Sequence, residues 1–236
     1  MSSIQQNIKQ ITSQIRNAEQ KCGQTPNSVQ LLAVSKTKPV EAVLEAAQSG
    51  QIAFGENYVQ EGVDKVKHFS EQHSTLNLEW HFIGPIQSNK TRPVAESFDW
   101  VHTVDRSKIA QRLNDQRPED LDPLQVLIQV NTSGENSKSG ISEAEVFELA
   151  ELISSLPNLT LRGLMSIPAN VPDYQSQLNA FTQLAELNNK LSAQYPNLDT
   201  LSMGMSGDMD AAIEAGSTMV RIGTAIFGAR DYSQRQ

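Results

Sequence analysis

Lys36 ends a short apolar run in LLAVSKTKP, and a lysine in that position is a candidate nucleophile for carbonyl compounds. Strand alternation puts Leu32, Val34 and Lys36 on one face and Leu31, Ala33 and Ser35 on the other. Both faces are apolar ahead of the charge, so the run reads as a fully buried strand. An amine pointing inward from its end is partly desolvated, which lowers its pKa and frees its lone pair. The alternative is a lysine that snorkels to solvent or pairs with a carboxylate. Far along the chain, LSMGMSGDMDAAIEAG and MVRIGTAIFG each read as strand, small-residue turn and helix. Ser206 offers a hydroxyl, Gly223 lets backbone approach an anion closely, and Thr224 adds a hydroxyl and an N–H. Ordinary helix-capping turns are the competing reading of each. Arg221 lies two residues before Gly223, on the same strand face. A buried guanidinium stays charged and needs an acceptor, either a carboxylate such as Glu56 or a ligand atom such as a pyridine nitrogen. An amine on one wall, phosphate donors opposite and a hydrogen-bond donor between them outline a phosphorylated aromatic aldehyde.

The elements that must position these groups can be counted. β-rich runs occur at Leu31–Lys36, Ile52–Glu56, Glu79–Gly84, Trp100–Asp105, Gln125–Asn131, Leu161–Ile167, Thr200–Met205 and Met219–Phe227. Between them lie stretches of helical periodicity. Val146, Leu149, Ala150 and Ile153 follow Ser142 as N-cap, and Leu178, Phe181, Leu184, Ala185 and Leu191 mark another helix. Pro39–Gln48 opens on proline and closes at Gly50, and Gly216 follows Asp208–Ala215 in the same way. Ile4, Ile8, Ile11 and Ile15 predict an extra N-terminal helix covering the barrel. Eight βα units in succession favour a single (β/α)8 barrel of the TIM type, with an open doubly wound sheet as the alternative. Such barrels carry function at the C-terminal ends of their strands and often bind phosphate after strands seven and eight. The Ser/Gly-rich segment Asn131–Gly140 reads as a solvated loop or a lid over that face.

Composition removes other classes. The chain has 236 residues with 27 acidic and 19 basic side chains, a net charge of −8, which is the wrong balance for a broad nucleic-acid surface. Its one cysteine, Cys22, excludes an internal disulfide and points to a reducing compartment. The N-terminus lacks a secretory pattern and no apolar run spans a bilayer, so a cytoplasmic location is expected. The four histidines show no metal-ligand spacing, and a buried one such as His81 reads as a hydrogen-bonded core residue. Neither a dinucleotide-binding nor a Walker glycine pattern is present.

Several strings in consistent order resemble the pyridoxal phosphate homeostasis protein family. They are AVSKTKP at 33–39, FGENYVQE at 54–61, WHFIGPIQSNK at 80–90, QVNTSGENSKSG at 129–140, RGLMSIP at 162–168, LSMGMSGDMDAAIEAG at 201–216 and VRIGTAIFGAR at 220–230. The resemblance implies a barrel like the N-terminal domain of alanine racemase, with pyridoxal 5'-phosphate (PLP) held as a Schiff base on Lys36. It implies that Ser206, Gly223 and Thr224 hold the phosphate, that Arg221 faces the pyridine nitrogen, and that Asn57, Met165 and Ser166 line the cofactor. It also implies a role in PLP and amino-acid balance without established turnover. An arginine facing the pyridine nitrogen makes the ring a weak electron sink. Racemisation further needs an acid/base on each face of the substrate carbon, and alanine racemase takes its second one, a tyrosine, from the partner's β domain. This chain ends at Gln236, so no such domain is expected; Tyr58 has no evident catalytic place. The leading expectation is a PLP-binding homeostasis or carrier protein, monomeric because no added interface element stands out, with PLP-dependent apoenzymes as partners. An active PLP-dependent racemase or lyase is the alternative, and a Schiff-base aldolase acting on a sugar phosphate is a third reading.

Overall fold

A computed structural model describes residues 3–133 and 139–229. Eight parallel strands close in sequence order: β1 (Gln30–Val34), β2 (Ala53–Glu56), β3 (Glu79–Phe82), β4 (Trp100–Val104), β5 (Leu124–Gln129), β6 (Leu159–Met165), β7 (Thr200–Ser202) and β8 (Met219–Ile222). The barrel closes where β8 pairs with β1, placing Leu32 opposite Arg221 and Ala33 opposite Ile222. Every expected strand is present. The eighth is shorter than its apolar run suggests, because Gly223 ends the extended backbone and Thr224–Phe227 coil into a short helix.

The helices between strands are α2 (Val40–Gln48), α3 (Val59–Gln72), α4 (Thr91–Ser97), α5 (Ser107–Gln116), α6 (Glu143–Ser154), α7 (Tyr174–Ser192) and α8 (Met209–Glu214), preceded by α1 (Ile4–Lys21) and followed by α9 (Thr224–Phe227). Pro39 stands at the N-cap of α2, one residue outside the first turn, with extended backbone. α1 buries Ile8, Ile11 and Ile15 and packs beside α2, α8 and α9, so it thickens the outer helical layer over the barrel seam. Ser142 and Glu145 form a reciprocal capping box at the start of α6. Ser142→Ala is expected to lower stability by about 1 kcal/mol, measured by urea unfolding.

The main core lies between sheet and helices, where Ala33, Phe54, Phe82, Val101, Val126 and Ile128 meet the apolar helix faces. The opposite strand faces fill the barrel interior. Leu32, Ala53, Ile83 and Met219 form one apolar cluster there, with Val34 packed on it, and Trp100, Leu127 and Met165 form another. Between these clusters the interior is unusually polar for such a barrel, with His81, His102, Ser202 and Arg221 all buried. Of the Asn131–Gly140 segment, residues 134–138 lie outside the described residues. Its two ends meet at the sheet, where the Asn131 N–H donates to the Ile141 carbonyl at 2.8 Å and the Ile141 N–H to that of Gln129 at 3.0 Å.

Candidate cofactor site

Leu32 and Val34 face the barrel interior, and the alternation of β1 carries Lys36 to the same side at its upper end. There it lines a cavity of about 330 Å³ together with Asn57, Ser206, Arg221, Gly223 and Thr224. These residues lie at the ends of four strands, β1, β2, β7 and β8, or just after them, and the closure of the barrel brings the first and last strands side by side. A hollow of about 380 Å³ between α1 and α8 shares Ser206 but contains neither Lys36 nor Arg221. Met165 and Ser166 do not line the cavity. Met165 is buried inside the barrel against Trp100 and Leu127, whereas Ser166 is buried with its hydroxyl lacking a hydrogen-bond partner. The Ser166 carbonyl instead holds Arg221, whose Nη2 donates to it at 2.9 Å.

The turn that carries Lys36 is clamped from behind. Ser35 is fully buried, its N–H donating to the Gly55 carbonyl at 3.0 Å and its hydroxyl to Glu56 Oε1 at 2.5 Å. The Lys38 N–H donates to the Ser35 carbonyl at 3.1 Å, closing a turn in which Thr37 takes a φ of 62°. That left-handed conformation is costly for a β-branched residue and persists only when its surroundings hold it. What holds it is a buried charge cluster. The Lys65 ammonium donates to the Ser35 carbonyl at 2.7 Å, to Glu56 Oε1 at 2.8 Å and to Glu61 Oε1 at 2.7 Å. Glu61 Oε1 also accepts the Thr37 N–H at 2.6 Å. Burial pushes the Glu56 carboxyl up and the Lys65 charge opposes it. Glu56 is thus committed to Lys65 on the outer face of β2 and is not the acceptor for Arg221.

The opposite wall is tied to this turn by Lys38. Its ammonium donates to the carbonyls of Phe227, Gly228 and Ala229 at 3.1, 3.0 and 2.7 Å, gripping the end of α9. At the other end of that helix, the first N–H groups have no carbonyl within the helix to bond; Gly223 and Thr224 stand there and line the same cavity as Ser206. A side chain on Gly223 would bring its Cβ within 3.2 Å of the Val34 carbonyl oxygen, so glycine keeps β8 close to β1 at the cavity wall. Asn57 Oδ1 is buried without a partner in the same cavity.

Arg221 sits beneath, 4% exposed, with Nη1 donating to Ser202 Oγ at 2.7 Å. Burial lowers its guanidinium to about 10, with Asp208 pulling the other way, so it remains a cation at neutral pH. From Ser202 the contacts continue across the interior. His102 Nδ1 lies 2.8 Å from Ser202 Oγ, His102 Nε2 lies 2.8 Å from His81 Nδ1, and His81 Nε2 lies 2.8 Å from Glu79 Oε1. The linear spacing of the histidines hides this. The signal that reveals it is strand register, since His81 and His102 occupy adjacent strands on the same inward face. Among the described residues no cluster of His, Cys, Asp or Glu could hold a metal ion.

The family model for the N-terminal domain of alanine racemase matches residues 6–231. A curated protein of Vibrio alginolyticus named pyridoxal phosphate homeostasis protein is 80% identical over 99% of this chain and all of its own. The Escherichia coli protein of the same name is 60% identical over the full length of both. The chain belongs to the pyridoxal phosphate homeostasis protein family. Among solved structures, PipY of Synechococcus elongatus with PLP bound is 34% identical, with a TM-score of 0.81 over 96% of this chain and 100% of that one. Six of the seven strings that resemble pyridoxal phosphate homeostasis proteins contribute residues to the lining of this cavity, the exception being that at 129–140.

Proposed function

We propose that the cavity holds pyridoxal 5'-phosphate, with Lys36 joined to its aldehyde carbon as a Schiff base, and that the protein stores or carries this cofactor in balancing its supply. The convergence of Lys36, Arg221, Ser206, Gly223 and Thr224 on one cavity is the observation that carries this reading. The donor set fits a phosphorylated pyridine aldehyde: one primary amine, a guanidinium beneath, and hydroxyl and N–H donors at a helix start. Gly223, Thr224 and Ser206 would take the phosphate, Arg221 the ring nitrogen, and Asn57 a ring substituent. Bound in such a site, the cofactor supplies an electron-accepting ring in conjugation with the lysine nitrogen. Ser166, behind Arg221, would act through its carbonyl, and Met165 through packing below.

The side chains around the cavity favour carriage over turnover. Among its described lining residues, those with titratable side chains are Lys36, Lys38 and Arg221. Lys38 has all three ammonium hydrogens engaged by carbonyls. Arg221 keeps its proton, so the ring nitrogen gains no charge from it. Tyr58 stands at the N-cap of α3, 43% exposed and outside the cavity lining. A second acid/base for racemisation is therefore not supplied from these walls. We take the location to be cytoplasmic, the working unit a single copy, and the recipients PLP-dependent apoenzymes. No helix of the described residues is long and apolar enough to cross a membrane.

Protein mixed with PLP and desalted is expected to show a visible absorbance band that disappears in Lys36→Ala. Borohydride should fix one pyridoxyl group on Lys36, located by peptide mass analysis. A colourless parent protein without an adduct at Lys36 would refute the assignment. Incubation with L- and D-amino acids tests the racemase or lyase alternative, which appreciable isomer, keto acid or ammonia formation would favour.

A further inference from the structure

The contacts from Arg221 to Glu79 admit one arrangement of hydrogens. A guanidinium only donates, so Ser202 Oγ accepts from Arg221 Nη1. Ser202 is fully buried, and its other side-chain contact is His102 Nδ1. Its hydroxyl hydrogen must go there, or it is buried with no acceptor. His102 Nδ1 is then an acceptor, and the neutral ring carries its proton on Nε2, facing His81 Nδ1. His81 in turn accepts at Nδ1 and donates from Nε2 to the Glu79 carboxylate. A charged His81 would reverse the upper links and strand the Ser202 hydrogen. Each link therefore donates in the same sense, from the cation at the cavity to the anion at the foot of the barrel, where the Glu79 side chain is 37% exposed.

The surroundings agree with this assignment. His102 is wholly buried, and burial, then the nearby His81 and Arg221, hold its ring well below the usual histidine range. The bond from His81 pulls the Glu79 carboxyl down, keeping it ionised. His81 stacks on Trp100 with centroids 5.2 Å apart and planes 13° apart, and the Arg162 guanidinium lies 4.7 Å from the Trp100 ring centre. Asp99 is the other carboxylate felt near His81, and Asp208 the one near Arg221.

We infer that Glu79, His81, His102 and Ser202 are positioning residues for Arg221, forming a one-way hydrogen-bond chain that fixes the guanidinium beneath the cavity. Aligned bonds of this kind polarise one another, so the chain holds its end donor more firmly than one serine would. The effect on bound PLP rests on the cofactor reading above, whereas the chain itself does not. Two measurements separate them. In protein with nitrogen-15-labelled histidine and no PLP, His81 and His102, assigned through single His→Gln variants, should both be neutral with the proton on Nε2 at pH 7. A charged ring, or a proton on either Nδ1, overturns the chain. PLP titration followed by absorbance should then show His102→Leu binding roughly tenfold more weakly, a difference of about 1.4 kcal/mol. His102→Gln, which can accept from Ser202 and donate to His81, should stay within about twofold of the parent. Equal binding by parent and a folded Leu variant overturns the positioning role. Should the Leu variant fail to fold, Ser202→Ala gives the same comparison, since it removes the acceptor of Arg221 directly. Failure of the parent to bind PLP would count against the cofactor reading while the nitrogen-15 spectra still decide the chain.

Discussion

Replacing Lys65 with methionine is expected to remove about 3–5 kcal/mol of stability, the range for breaking a buried ion pair from one side. The ammonium is the common donor to the Ser35 carbonyl, Glu56 Oε1 and Glu61 Oε1, and Glu56 is fully buried. Removing the donor leaves a carboxylate in a dry site, and that group must take up a proton or open the structure. The double variant Glu56→Leu/Lys65→Met removes the stranded charge and should recover much of the loss. It should not recover cofactor affinity, because the Ser35–Lys38 turn would still lack its clamp and Thr37 would have less to hold it left-handed. Chemical denaturation and PLP titration on the two variants check this. A single variant within 1 kcal/mol of the parent, or a double variant that binds like the parent, would count against a positioning role for the cluster.

Gly163→Ala should damage the barrel at least as much, by about 4 kcal/mol or more, in the class of changes that force backbone apart. Gly163 has a φ of +150°, a conformation side chains rarely adopt, and a Cβ there would lie 1.8 Å from the Thr200 carbonyl oxygen. Relief requires separating β6 from β7 exactly where the register pairs Gly163 with Thr200. It lies next to the irregularity between β5 and β6, where the pairing jumps from Val126–Leu161 to Leu127–Gly163. For a chain of this length the melting temperature should fall by roughly 10 °C. An alanine variant that melts with the parent would show that these strands yield more easily than their geometry indicates.

Much of this architecture is legible in the chain because its strands are short apolar runs separated by helical periodicity. Leu32, Val34 and Lys36 share a face by simple alternation, and the same rule pairs Arg221 with Gly223. The eighth run misleads at its end, since Ala225, Ile226 and Phe227 are as apolar in a helix packed under α1 as in a strand. By charge alone, Glu56 is a plausible partner for Arg221. Only the pleat reveals that it faces outward, where a lysine nine residues later on α3 reaches it. The Glu79–Arg221 chain depends on residues from β3, β4, β7 and β8 meeting across a closed interior, and such meetings follow from closure and register, which local patterns do not carry. The same holds for Lys38, whose three carbonyl partners lie some 190 residues away.

The seam between β1 and β8 has a consequence for biosynthesis. Lys36 precedes Arg221, Gly223 and Thr224 by more than 180 residues, so synthesis from the N-terminus delivers the amine long before the opposite wall of the cavity. Until β8 is made, the proposed site has its amine but not the wall formed by Arg221, Gly223 and Thr224. On that reading loading waits for β8 to dock against β1, a contact of very long sequence separation that is slow to form. Capture of the cofactor at the proposed site would in this way report that the barrel has closed.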